Sequence, residues 1–331
     1  MRLLVTGGLG FIGSNFILKL LNESNNFEVV NLDAELHGSD KNNLFEIQEN
    51  EKYEFVKGNI TNRRLMEELI PKCDAVVNFA AESFVDRSIN DADPFLVSNI
   101  RGTFTILDII TKQKKRLIQI STDEVFGSLP TGTATEQSKL NPSNPYAATK
   151  AAAELLIKSY VSTYNSDVVI TRCTNNYGPR QFPEKLIPKV IILANKLHEI
   201  PIYGKGVNIR DWIHVDDHCD AVLMALLKGK SGESYNVSAN NEVDNLTIVN
   251  KILKLMNKPE SLIKFVEDRP GHDLRYSLDS QKISDDLGWK IKTSFEDGLE
   301  NTINWYLNNP EILNKIHLET VQDTTPWKSS N

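Results

Sequence analysis

The sequence predicts an α/β protein: a doubly wound parallel sheet with a smaller C-terminal substrate-binding α/β subdomain. Three observations predict it. Short apolar runs alternate with helical patterns through the first half of the chain. A glycine-rich turn joins the first apolar run to the first helix. Past about Asn175 the rhythm changes, and loops grow longer and richer in Pro, Asn and Gly, as over 177–183.

Taken in order, Arg2–Thr6 reads as a buried strand and Phe11–Leu21 as a helix with apolar periodicity. Phe27–Leu32, closed by Asp33, is the second strand. Tyr53–Val56, Ala75–Phe79, Leu117–Ser121 and Val168–Thr171 follow as the third to sixth. Helical patterns fill Arg63–Ile70, Pro94–Thr111 and Tyr146–Tyr164, then Val215–Leu227 and Thr247–Met256. Strands alternating with helices predict a parallel sheet covered on both faces. The division drawn from this is a dinucleotide-binding domain over 1–175 plus about 209–229, and a substrate-binding domain over about 176–208 plus 230–316. A polar tail, 317–331, is either partly disordered or docked through Trp327.

The bulk numbers narrow the function. A chain of 331 residues exceeds what one small core needs, and 40% hydrophobic with 24% charged residues describes an ordinary soluble protein. A net charge of −7 gives no electrostatic case for nucleic acid or an anionic membrane. An anionic substrate then requires a local cluster of arginines and helix N-termini. Cys73, Cys173 and Cys219 lie far apart without metal-ligand spacing, which suits buried apolar thiols in a reducing compartment and no metal. A strand-like run begins at residue 2 and no apolar stretch is long enough to span a bilayer, so neither a signal peptide nor a membrane anchor is expected. The expected location is the cytoplasm.

The turn Gly7-Gly8-Leu9-Gly10-Phe11-Ile12-Gly13 satisfies G-x-G-x-x-G through Gly8, Gly10 and Gly13. Gly7, Gly10 and Gly13 also satisfy the wider G-x-x-G-x-x-G spacing. Set between strand and helix, it predicts a Rossmann-type dinucleotide site, with the pyrophosphate on the free N–H groups of the helix N-terminus. Asp33 closes the second strand 20 residues after Gly13. A carboxylate there accepts from the ribose hydroxyls and repels a 2′-phosphate, so NAD is favoured over NADP. Asn59 and Ile60 follow the third strand and face the adenine in this scheme. Ala80 and Ala81 follow the fourth, where small residues either admit the cofactor or serve helix–sheet packing.

Tyr146 and Lys150 are four apart and share a helix face. A neighbouring ammonium, with the positive nicotinamide, is expected to lower the tyrosine pKa so that the phenolate takes a proton during hydride transfer. Thr122 ends the fifth strand, where its hydroxyl can hold the same substrate oxygen. Asp123 and Glu124 follow at the C-terminal end of that strand, where open α/β sheets place ligands. Adjacent carboxylates repel, so one stays protonated near neutral pH and the pair supplies a general acid and a general base. The combination suits transient oxidation, loss of water and re-reduction.

These motifs recur with Ala80-Ala-Glu-Ser83, Val85-Asp-Arg-Ser88, Ser121-Thr-Asp-Glu-Val-Phe-Gly127, Thr171-Arg-Cys-Thr-Asn-Asn-Tyr-Gly-Pro179, Phe182-Pro-Glu-Lys-Leu-Ile-Pro188, Arg210-Asp-Trp212 and Asp268-Arg-Pro-Gly-His-Asp273. From about residue 1 to residue 310 the chain resembles the extended short-chain dehydrogenase/reductases, and more closely the dTDP-glucose 4,6-dehydratases. The resemblance implies a sugar-nucleotide substrate, bound NAD and a homodimer paired through Pro94–Thr111 and Tyr146–Tyr164. It implies that Tyr146, Thr122 and Lys150 serve C4 oxidation, that Glu124 removes the C5 proton and that Asp123 protonates the leaving C6 hydroxyl. Cofactor contacts are expected from Gly7, Gly10, Phe11, Ile12, Gly13, Asp33, Asn59, Ile60, Ala80, Ala81, Tyr146 and Lys150. Ser83 and Asn175 are expected at the sugar, Asn176, Lys185, Arg210 and Arg269 at the diphosphate, and Tyr203, Asn245 and His272 around the nucleotide. Phe84 departs from the family's usual His, Asn59 from its usual Asp, and the loop over 35–41 from its usual pattern. Three readings compete with the dTDP-glucose enzyme. A 4-epimerase needs Tyr146 and Lys150 but no acid pair. A 4,6-dehydratase acting on UDP- or CDP-glucose shares the whole catalytic set. A non-catalytic NAD-binding scaffold would have no need to keep it.

Overall fold

The computed structural model describes residues 1–23, 26–315 and 323–328. The chain opens with β1 (Arg2–Thr6), α1 (Phe11–Glu23), β2 (Glu28–Asp33), β3 (Tyr53–Lys57), α2 (Arg63–Leu69) and β4 (Ala75–Asn78). Three helical pieces follow: α3 (Val85–Asn90), α4 (Asp93–Phe95) and, beyond a π-helical stretch over Leu96–Gly102, α5 (Thr103–Gln113). β5 (Arg116–Thr122), α6 (Pro145–Tyr164) and β6 (Val168–Cys173) complete this half. Next come β7 (Asn175–Tyr177), α7 (Leu186–Asn195), β8 (Ile200–Tyr203), β9 (Ile209–His214), α8 (Val215–Lys228) and β10 (Ser234–Val237). β11 (Glu242–Asp244), α9 (Asn245–Leu255), β12 (Ile263–Val266), α10 (Gln281–Leu287), α11 (Phe295–Asn308) and α12 (Pro310–Lys315) follow.

Seven strands pair in parallel in the order β10-β6-β5-β4-β1-β2-β3. The order reverses at β1, which lies between β2 and β4, so a crevice opens at the C-terminal ends of these strands. Both faces are covered, which is why the strands read as continuous apolar runs: every residue of β4 and β6 is buried. α1 and α8 close one face through Phe16, Ile17, Leu20, Val222 and Ala225. α2, α5 and α6 close the other through Met66, Ile106, Ile110 and Ile157. A second core joins α7, α9 and α11 through Ile191, Val249, Ile252, Leu299 and Tyr306, beside a three-stranded sheet β11-β9-β7 and the pair β12-β8.

The structure differs from the sequence reading in three places. The helix expected over 94–111 is broken by the π-helical stretch. β9, expected within the dinucleotide-binding domain, pairs with β7 and β11 instead. β10, expected in the other domain, pairs with β6 in the seven-stranded sheet, because its apolar Tyr235 and Val237 complete the core against α8. The tail expected over 317–331 lies outside the described residues except for 323–328, where Trp327 is buried. Among the described residues no helix is long and apolar enough to cross a membrane.

Candidate active site

The glycine turn has no room for side chains at its two ends. Gly7 has φ +71°, and a Cβ there would lie 2.6 Å from the Ala80 nitrogen. At Gly13 it would lie 2.4 Å from the Gly7 carbonyl oxygen, so helix and turn pack backbone to backbone. The N-terminus of α1 is thereby held over one cavity at the crevice. Gly7, Gly10, Phe11, Ile12, Gly13, Asp33, Asn59, Ile60, Ala80 and Ala81 line it, together with Thr122, Asp123, Glu124, Tyr146 and Lys150. Asp33 Oδ2 accepts from the Leu9 N–H at 3.0 Å, and Oδ1 accepts from the Glu35 N–H and the Ser39 hydroxyl. It therefore caps the 35–39 loop while facing the cavity. Asn59 Oδ1 is taken by the Thr61 N–H and hydroxyl, which leaves its Nδ2 for a ligand.

Thr122 ends β5 and caps the single helical turn Asp123–Phe126. Its hydroxyl accepts from the Glu124 N–H at 3.3 Å and donates to Asp123 Oδ1 at 3.0 Å. Asp123 is 3% exposed, and its Oδ2 has no protein partner among the described residues. Burial, then the Glu124 charge, push its pKa up to about 8. Glu124 Oε2, in contrast, accepts from Asn144 Nδ2 at 3.0 Å and from the Tyr276 hydroxyl at 3.4 Å. The neighbouring carboxylates thus occupy different environments, one dry and one hydrogen-bonded.

Asn144 also starts α6: its Oδ1 accepts from the Ala147 N–H, and Pro145 takes the first helical position. Tyr146, Lys150 and Glu154 then share one face of the helix. The Lys150 ammonium donates to the Ile120 carbonyl at 2.7 Å, and burial lowers its pKa to about 8. The Tyr146 phenol is raised well above its ordinary value by burial and then by Glu124. The lowering expected above draws on the nicotinamide charge together with Lys150, whose ammonium is held at the Ile120 carbonyl. Glu154 accepts from the Ser121 hydroxyl at 2.6 Å and forms a forked ion pair with the fully buried Arg172. The π-helical stretch aims Asn99 inward, where it bonds both the Glu82 backbone and the Thr149 hydroxyl of α6.

Ser83, Asn175, Asn176 and Lys185 share the cavity. Lys185 Nζ donates to the Ser83 carbonyl at 3.0 Å and sits 4.5 Å over the Phe84 ring. Asn176 is tied inward, with Nδ2 donating to the Thr174 carbonyl and Oδ1 paired with His218. The other five expected substrate residues do not line this cavity. Tyr203 donates to Asp86 Oδ2 at 3.2 Å, and Arg269 pairs with Asp86 Oδ1 at 2.9 Å. His272 is paired with Asp268, and burial lowers its pKa to about 4. Arg210 stacks 4.4 Å over Tyr276 and donates to the Asp273 carbonyl. Asn245 begins α9, with its N–H on the Asn208 carbonyl. Tyr276 joins the two groups: its hydroxyl reaches both Glu124 and the Asp273 carboxylate.

A family model described as GDP-mannose 4,6 dehydratase matches residues 4–302. The chain belongs to this 4,6-dehydratase family. It is 47% identical to the low-salt glycan biosynthesis protein Agl12 of Haloferax volcanii, over 94% of this chain and the whole of that relative. It is 44% identical to a dTDP-glucose 4,6-dehydratase of Streptomyces niveus, over 93% of this chain and 94% of that one. The crystal structure of DesIV, a dTDP-glucose 4,6-dehydratase of Streptomyces venezuelae with NAD bound, superposes with a TM-score of 0.92. There the identity is 43%, over 94% of this chain and 98% of that one.

Against that family background, two residues at the site escaped the sequence reading. Asn144 belongs to the helix-start signal two residues before Tyr146, but a capping residue gives no hint that its amide also holds Glu124. Tyr276 follows the Asp268–Asp273 motif by three residues, and only the fold brings it to Glu124. Phe84, where the family commonly has His, joins His37 and Phe182 in an edge-on aromatic cluster with centroids 4.7–5.5 Å apart. The divergent 35–41 loop meets it there through His37, which also lies 3.0 Å from Glu184.

Proposed function

We propose that this dehydratase converts dTDP-glucose to dTDP-4-keto-6-deoxyglucose and water, as an NAD-dependent hydro-lyase. The observation that carries this is the Asp123–Glu124 pair, set in unlike environments beside Tyr146 at one end of the dinucleotide cavity. An epimerase has no use for such a pair.

NAD fits the residues present: the tight glycine turn whose Gly7, Gly10 and Gly13 line the cavity, the α1 N-terminus, and Asp33 where a 2′-phosphate would be repelled. Bound NAD+ supplies positive charge and one hydride acceptor that later returns the hydride. Tyr146 Oη takes the proton of the C4 hydroxyl, with Thr122 holding that oxygen and Lys150 supplying compensating charge. An unactivated C5–H is too weak an acid for a carboxylate, and the C4 ketone acidifies it. Glu124 then removes the C5 proton. Asp123, held protonated by its dry surroundings, gives its proton to the C6 hydroxyl, which leaves as water.

The seven-stranded sheet with α1–α6 and α8 is assigned to NAD, and the second core with its two small sheets to the sugar nucleotide. Ser83 and Asn175 are assigned to the sugar, and Lys185, Arg210 and Arg269 to the diphosphate, with Asn176 placed as a support for that loop. Tyr203, Asn245 and His272 are assigned to the nucleotide. A homodimer is supported by the exposed Leu96, Val97, Phe104, Leu155 and Tyr164 along the two helical segments that the resemblance pairs. The cytoplasm, which holds nucleotide sugars, is the proposed location.

Glu124→Gln tests the mechanism. The variant should form NADH from dTDP-glucose and stop there. Prompt release of a 4-keto-6-deoxy product by this variant would sink the assignment of Glu124 as the C5 base. The wild type in heavy water should lose one water and place one deuterium at C5, read by mass spectrometry.

A further inference from the structure

The segment Asp323–Lys328 returns to the substrate side of the molecule. It packs on α3, and Pro326–Lys328 forms a single helical turn there. The turn is closed by its own bonds, from the Lys328 N–H to the Thr325 carbonyl and from the Thr325 N–H to Asp323 Oδ1. Lys328 fastens it by binding both carboxylate oxygens of Glu267 at 2.7 Å. Trp327 is 6% exposed and meets the Tyr203 ring edge-on, with centroids 5.1 Å apart. Tyr203 is thereby held between Trp327, the Asp86 carboxylate below its hydroxyl and His272 at 6.4 Å.

Two buried donors around the same Asp86–Tyr203 pair have no acceptor among the described residues: Trp327 Nε1 and Arg269 Nε. Buried N–H groups are seldom left unpaired. Two of them beside one aromatic ring suit a ligand that brings oxygens and a flat face together, as a pyrimidine nucleoside diphosphate does. An aromatic wall also favours the base by stacking, and an indole fixing that wall removes one of its rotational freedoms before the ligand arrives.

We propose that Trp327 is a nucleotide-positioning residue: the segment 323–328 straps the nucleotide side of the cleft and holds Tyr203 in its binding orientation. This rests on the dTDP-glucose reading above. It adds a segment outside the residue range over which the family resemblance runs.

The test uses the full-length NAD-loaded enzyme and Trp327→Ala, with Trp327→Phe as the conservative variant. Trp327→Ala should raise KM for dTDP-glucose, and Kd for dTDP by calorimetry, about three- to tenfold, with kcat nearly unchanged. Trp327→Phe keeps an edge for Tyr203 and should recover most of that loss. Unchanged KM and Kd in Trp327→Ala would overturn the proposal. So would a loss shared between kcat and KM with a lowered Tm and no recovery by Phe, which marks a structural anchor only. If the wild type ignores dTDP-glucose but turns over UDP- or CDP-glucose, the substrate reading fails. The same comparison on that substrate then decides the strap. A wild type that binds no nucleoside diphosphate overturns both.

Discussion

Replacing Asp123 by Asn separates the protonation of this carboxyl from its shape. A neutral Asp123 and an Asn are nearly isosteric, and both can partner the Thr122 hydroxyl at 3.0 Å. The carboxyl's pKa is about 8 in the folded chain, against an ordinary 3.8. An acid raised in this way costs the folded state nothing below the unfolded pKa. The cost grows as pH rises and levels off once the folded pKa is passed. At pH 7 the chain is about three pH units above 3.8, so at about 1.4 kcal/mol per unit the cost is about 4 kcal/mol. Asp123→Asn removes it. The variant should therefore be more stable than wild type by a margin that widens from about pH 4 and flattens above about pH 8, read from denaturant unfolding across that range. Its kcat should fall about 10²–10⁴-fold, because an amide has no proton to give the C6 hydroxyl. Wild-type kcat should decline above about pH 8 as the acid ionises. A stability margin that stays flat with pH, or narrows as pH rises, would show that Asp123 is ionised in the folded protein and would refute it as the acid.

Other substitutions probe the scaffold. Gly13→Ala forces a methyl to 2.4 Å from the Gly7 carbonyl; it should cost roughly 1–3 kcal/mol of stability and weaken NAD binding, both measurable by thermal melts with and without NAD. Asn144→Ala removes the α6 cap and one donor to Glu124, for about 1 kcal/mol of stability and a larger relative loss in kcat. Arg172→Met leaves Glu154 charged and unpaired in the core and should cost about 3–5 kcal/mol, whereas Arg172→Met with Glu154→Leu should recover most of it.

The parallel sheet was legible because buried strands and amphipathic helices write different periods into the chain. The dinucleotide turn was legible because only glycine fits its backbone contacts. β10 escaped because Ser234-Tyr-Asn-Val237 alternates polar and apolar residues, yet all four are buried. Its Asn236 Nδ2 donates to the Ala134 carbonyl across 102 residues, which no local pattern reports. The π-helical stretch escaped because its wider turn rotates Asn99 inward while Leu96 and Val97 face out, an arrangement that residue types alone do not announce. The residues proposed as catalytic were picked out by their types and spacing. The cluster around Asp86, proposed to serve the nucleotide, is assembled from segments 86, 203 and 269, far apart in the chain, so its separation from the dinucleotide cavity is a property of the fold alone.

In the proposed mechanism, the register between β5 and α6 is what makes the acid and base usable. Ile120 accepts from Lys150, Ser121 donates to Glu154, and Glu124 accepts from Asn144. Successive turns of the helix are thus pinned along one strand end, with Tyr146 between the pins. Arg172 locks the rung at Ser121 from behind, in a place no water reaches. Groups fixed before substrate arrives need no reorganisation when charge moves, which is where an enclosed site gains over solution. A proton leaving C5 and another arriving at the C6 oxygen must be handled on one sugar by neighbouring residues. That demands a carboxyl that stays protonated one residue from a carboxylate that does not. The turn after Thr122 gives the two carboxyls unlike surroundings, sending Asp123 into the dry core and Glu124 toward Asn144 and Tyr276.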